Sequence, residues 1–154
     1  MEINKKLYRK MENKNNILNV VNHIVDPGPR YTKQGDDSGE FFYHSILNEE
    51  FYNAISNNQK LIVNLDGPNG YASSFLDESF GNLVYDFGYD TVSKNIEFKS
   101  EEEPEWITML KNETFLEWEK RRLTENEPKK TSSHPEWWRK TSDGNFEKKI
   151  WINP

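Results

Sequence analysis

The run Leu61-Ile-Val-Asn-Leu65 constrains this chain most, because it is short, largely aliphatic, and closed off by turn-forming residues at Ser56-Asn-Asn-Gln-Lys60 and Asp66-Gly-Pro-Asn-Gly70. A segment of that kind reads as a strand buried on both faces, the usual position of a central strand in a covered sheet. The residues after the turn, Tyr71-Ala-Ser-Ser-Phe-Leu-Asp-Glu-Ser-Phe-Gly81, begin with hydroxyls. They then set Leu76, Phe80, Leu83, Val84 and Phe87 on one helical face. Ser74 and Asp77 have capping-box spacing, so the helix is expected to start at Ser73 or Ser74 and run to about Asp86, with Gly88 ending it. Strand, tight turn and helix form one unit.

Similar units flank it. Ile17-Leu-Asn-Val-Val-Asn-His-Ile24 is rich in β-branched residues and stops at Asp26-Pro-Gly-Pro29, which predicts a first strand over 17–24. Asp37 with Glu40 predicts a capping box for a helix over 38–55, its apolar face made by Phe42, Ile46, Leu47, Phe51 and Ile55. Asn95-Ile-Glu-Phe-Lys99 alternates as a third strand. Ser100 and Glu103 suggest another cap, Pro104 suits a first helical turn, and Trp106, Ile107, Leu110, Thr114 and Trp118 line a third helix to about Arg122.

Residues 1–16, with Lys5, Lys6, Arg9, Lys10 and Lys14, read as a flexible basic arm. Residues 17–122 form the α/β domain, 123–133 a polar linker, and 134–154 an aromatic tail. In the tail, Ser142-Asp-Gly-Asn145 between two apolar-bearing runs predicts a hairpin. A lone hairpin is marginal in water, so its aromatics must dock on the domain or on another chain.

Composition narrows the functions. A net charge of -6 disfavours nucleic-acid binding, which depends on neutralising phosphates. The absence of cysteine removes disulfides, thiolate metal sites and a thiol nucleophile. No apolar run approaches the roughly 20 residues needed to span a bilayer, and Met1-Glu-Ile-Asn-Lys-Lys6 lacks a signal's apolar core. The expectation is a cytoplasmic protein without membrane contact. His23, His44 and His134 have no ligand spacing, so no metal is expected, and His44 is expected at the edge of its helix.

The order of elements resembles the STAS architecture of bacterial anti-sigma-factor antagonists. The local residues are closer to the STAS-like family of undefined function. They comprise Pro27-Gly-Pro-Arg30, Gly35, Ser38-Gly-Glu40 with Phe42, Asp66-Gly67, and Ser73-Ser-Phe-Leu-Asp-Glu78 with Phe80-Gly81. The resemblance covers residues 17–122. It implies a mixed β-sheet with helices packed against it, no cofactor, and regulation through protein contacts instead of chemistry.

In the broader STAS group, a serine at the start of the second helix is phosphorylated by a histidine-kinase-type ATPase, and partners switch. By position Ser73 matches that phosphoacceptor and Ser74 follows it. Those antagonists read Asp-Ser-Ser-Gly or Asp-Ser-Thr-Gly, whereas this chain has Ala72-Ser-Ser-Phe75. That difference favours a docking surface over a phosphoswitch.

Several residues keep two readings. Ser73 and Ser74 either cap the helix or receive a partner's polar groups. Asp77 and Glu78 read as a capping and a surface carboxylate, since neighbours on a helix diverge too far to act as an acid–base pair. Arg30 either anchors its loop to a helix carboxylate or belongs to a partner site. Trp137, Trp138 and Trp151 either pack the tail onto its domain or form an interface, including one between two copies. The leading function is a non-catalytic interaction module that presents Ser73, Ser74, Asp77, Glu78 and Arg30 to a protein, such as a histidine-kinase-type ATPase or a sigma-regulatory protein. The alternatives are a serine-dependent hydrolase or transferase and a component of a phage–host conflict system.

Overall fold

The computed structural model describes residues 16–154, so the basic arm expected over 1–16 lies, apart from Asn16, outside the described residues. Strands β1 (Asn16–Asn19), β2 (Leu61–Asn64) and β3 (Ile96–Lys99) form a three-stranded sheet in the order β1-β2-β3. Both pairings are parallel: Leu18 lies opposite Val63, and Val63 opposite Phe98. Among the described residues, antiparallel pairing is confined to the tail, between β4 (His134–Lys140) and β5 (Phe146–Trp151). As its aliphatic run predicts, β2 is central, with Leu61, Ile62 and Val63 all buried.

Among the described residues, four helices pack with the sheet. Helix α1 spans residues 39–56, its α-helical stretches Gly39–Phe42 and Asn48–Ser56 joined by a π turn at Tyr43–Leu47. Helix α2 is Ser73–Phe87, and α3 is Tyr89–Asn95. Helix α4 spans 105–123, again with a π turn, Leu110–Thr114, between Glu105–Met109 and Phe115–Leu123. Phe42, Leu47, Phe51, Leu76, Phe80, Leu83, Val84, Phe87, Leu110 and Trp118 join the sheet residues in one core. Phe80 meets Phe98 edge-on at 5.2 Å, which places α2 against the Leu18–Val63–Phe98 face of the sheet.

Two glycines permit this packing. A Cβ at Gly81 would lie 2.1 Å from the Trp118 ring, so α4 can press its indole onto α2 only because that position is bare. A Cβ at Gly39 would lie 2.5 Å from the Phe75 carbonyl oxygen, where α1 meets α2. Asp66 ties the ends of β2 and β3 together by accepting from the Ser100 hydroxyl and the backbone N–H groups of Glu101 and Glu102.

Several local expectations are corrected. The first strand ends at Asn19, because Val20–Asn22 tightens into a 3-10 turn. Ser38, not Asp37, caps α1 by accepting from Phe41 N–H, and Glu40 does not reach back to complete a box. Ala72 is the N-cap of α2 and gives no side-chain cap, so neither Ser73 nor Ser74 caps and the Ser74–Asp77 spacing forms no box. Gly88, at φ +86°, does end α2, but α3 begins immediately after it. Ser100 accepts from Glu103 N–H, yet α4 starts two residues later with Pro104 as its N-cap.

Candidate functional site

Ser73 opens α2 and is exposed; Ser74 is half-buried. Neither hydroxyl forms a hydrogen bond among the described residues. The first N–H groups of any helix lack intrahelical acceptors, so this end offers free donors beside two free hydroxyls. A hollow of about 360 Å³ next to Ser73 is lined by Arg30, Asp77, Met109, Glu113, Thr114 and Glu117. It lies where α2 faces the π turn of α4.

Arg30 resolves toward its anchoring role. Its guanidinium donates to Asp77 at 2.7 Å and Glu78 at 3.1 Å, fastening the loop after Pro29 to α2. Asp77 and Glu78 are therefore not a capping and a surface carboxylate. Asp77 also accepts from the Trp118 indole at 3.2 Å, while buried Glu78 accepts from Asn82 at 2.9 Å. Burial pushes the Glu78 carboxyl up, and Arg30 and Asn82 pull it part of the way back. With Arg30 committed to two carboxylates, the hollow beside Ser73 is acidic overall.

A second cluster was not foreseen from the sequence. Residues 131–151 lie across α1 and the end of α2, seated by buried polar contacts. Glu40, only 1% exposed, accepts from Thr32 N–H, from the Thr131 hydroxyl at 2.6 Å, from the Thr131 and Ser132 N–H groups, and from His134 Nε2 at 2.5 Å. Burial alone would raise this carboxyl, but donors led by His134 and Thr131 hold it down at about 2.

His44 is not at a helix edge. It is buried, stacked on His134 at 4.0 Å and edge-on to Trp137 at 4.5 Å, and its Nδ1 has no hydrogen-bond partner. Burial, reinforced by His134, holds the His44 imidazole well below its usual range. Two imidazolium charges at that separation would repel by about 4 kcal/mol at an effective dielectric of about 20.

The remaining contacts extend the seat along the tail. Asn48 donates to the Trp138 carbonyl and accepts from the Trp138 N–H at 2.9 and 2.8 Å, replacing the hydrogen bonds a neighbouring strand would supply. Arg139 donates to buried Asp86 at 2.6 Å and to Glu127 at 2.6 Å, and Tyr43 donates to Asp86 from the other side. Burial pushes Asp86 up, and Arg139 opposes that shift. Tyr52 stacks on Trp138 at 3.9 Å, with Phe146 edge-on at 5.3 Å. Trp137 is buried and Trp151 half-buried.

Glu40, His44, Asn48 and Tyr52 recur every fourth residue, and that polar stripe was the available signal. On a helix such a stripe ordinarily faces water.

Among the described residues, no group of three or more acidic or histidine side chains is placed to hold a metal ion, and no helix is long and apolar enough to cross a membrane. The parallel sheet with its helices and the serine-led α2 defines an α/β module of the STAS type. Residues 39–106 match the family described as a STAS-like domain of unknown function (DUF4325). No curated protein and no solved structure matches the chain.

Proposed function

We propose that the chain is a non-catalytic regulatory module of the cytoplasm that docks a protein partner through the Ser73 end of α2. The observation that carries this reading is the exposed Ser73 hydroxyl, which leads a 15-residue helix and neither caps it nor bonds to any other of the described residues. Side chains in such a position are available to a partner, as are the N–H groups beside them.

Docking without modification is the better fit to the surroundings. Asp77, Glu113 and Glu117 line the hollow beside Ser73, and a phosphate there would meet carboxylates, with Arg30 already engaged. A serine nucleophile is disfavoured because the lining of that hollow includes no imidazole, while His44 and His134 are held together under the tail.

Affinity capture of the full chain followed by mass spectrometry tests the reading, since it identifies partners and reports any phosphate on Ser73 or Ser74. Ser73→Glu or Ser74→Glu should weaken capture of a partner seen with the wild type. Unchanged capture with both variants would refute docking at this end. Labelling of Ser73 by a broad serine-reactive probe would favour the hydrolase instead.

A further inference from the structure

We propose that the β4–β5 hairpin is a detachable latch on α1, unseated when His44, stacked on His134 beneath it, takes up a proton. The seat is unusual in being fastened by ionisable groups on its buried side. The α1 face supplies Glu40, Tyr43 and His44; α2 supplies Asp86; the linker supplies Lys130 and Thr131; and β4 supplies His134, Trp137 and Arg139.

His134 is held against the Glu40 carboxylate at 2.5 Å. A proton on His44 would sit against the stacked His134 ring at 4.0 Å, with Nδ1 enclosed and unpartnered. Lys130 and Arg139 add positive charge around that ring, and Glu40, already shared among several donors, is the nearby carboxylate that opposes them.

The seated hairpin therefore disfavours a proton on His44 that the released hairpin accepts. Because the released state binds more protons, seating weakens as pH falls below the ordinary imidazole value of about 6.5. Release would turn the Glu40–His44–Asn48–Tyr52 face of α1 from a buried seat into an exposed polar and aromatic surface. This device is independent of the Ser73 docking end.

Hydrogen exchange on the full chain, corrected for the intrinsic pH dependence of amide exchange, tests the proposal. Between about pH 7.5 and about pH 5.5, residues 134–151 should lose about tenfold or more in protection while β2 and α2 keep theirs. His44→Phe, which keeps a buried ring but cannot be protonated, should abolish that loss. Hairpin protection that tracks β2, or a His44→Phe variant that loses protection as the wild type does, would overturn the latch. Imidazole NMR of the wild type gives a second reading that needs no variant. The His44 ring should titrate together with loss of hairpin protection, and a charged His44 under a protected hairpin would refute the proposal.

Discussion

Helix α1 buries two faces that are built in opposite ways. One presses Phe42, Leu47 and Phe51 into the core, where each is fully buried. The other presents Glu40, His44, Asn48 and Tyr52 to the tail and is buried through hydrogen bonds and stacked rings. The first face tolerates any pH and depends on shape. The second depends on every donor finding its acceptor, because an unpaired buried polar group costs far more than a paired one contributes.

The contrast can be broken most forcefully at the apolar face. Phe51→Ala should cost about 3–5 kcal/mol in urea unfolding followed by both far-UV and tryptophan signals. If only the tail responded, the two faces would not be separate. Arg139→Met comes next: it leaves Asp86 buried without its cation and should cost about 3 kcal/mol. That loss should appear as exposure of residues 134–151 in hydrogen exchange while the β1–β3 sheet stays protected; loss throughout the domain would merge the faces.

Glu40 sharpens the comparison through pH. Its carboxyl is held at about 2, below its ordinary value, so its contribution is complete above the ordinary carboxyl range and is lost as pH falls through that range toward about 2. The contribution is about 2–3 kcal/mol, and Glu40→Gln should remove this segment of the acid-stability curve. Ser73→Ala marks the small end of the scale. An exposed hydroxyl without a partner should change stability by less than about 0.5 kcal/mol in the same urea experiment. A larger loss would show Ser73 to be structural.

The apolar half of the architecture was legible in the sequence. Leu61–Leu65 announced the central strand, and the spacing of Leu76, Phe80, Leu83, Val84 and Phe87 announced α2, because burial of aliphatic and aromatic residues leaves a period that can be read locally. The Arg30 anchor was legible as one of two alternatives. The seat under the tail was not, since Glu40 and His134 are separated by most of the chain and each looks like a solvent-facing residue until the other arrives. The caps misled for a related reason: Ser, Thr and Asp signal a helix start by type, but which of several neighbours takes the cap is decided by tertiary contacts. At α1 it is Ser38, while Glu40 is drawn away by Thr131 and His134.

The π turn at Tyr43–Leu47 limits how helix α1 can vary in length. A π turn carries one residue more than an α-helical turn, so removing a single residue there would restore a regular helix. Everything downstream would then rotate by about 100° relative to Glu40. Asn48 and Tyr52 would leave the face that Glu40 occupies, and the tail could no longer engage all three at once. The extra residue is thus a spacer that aligns two halves of one surface, and deletions in this helix should be tolerated least where it looks most irregular.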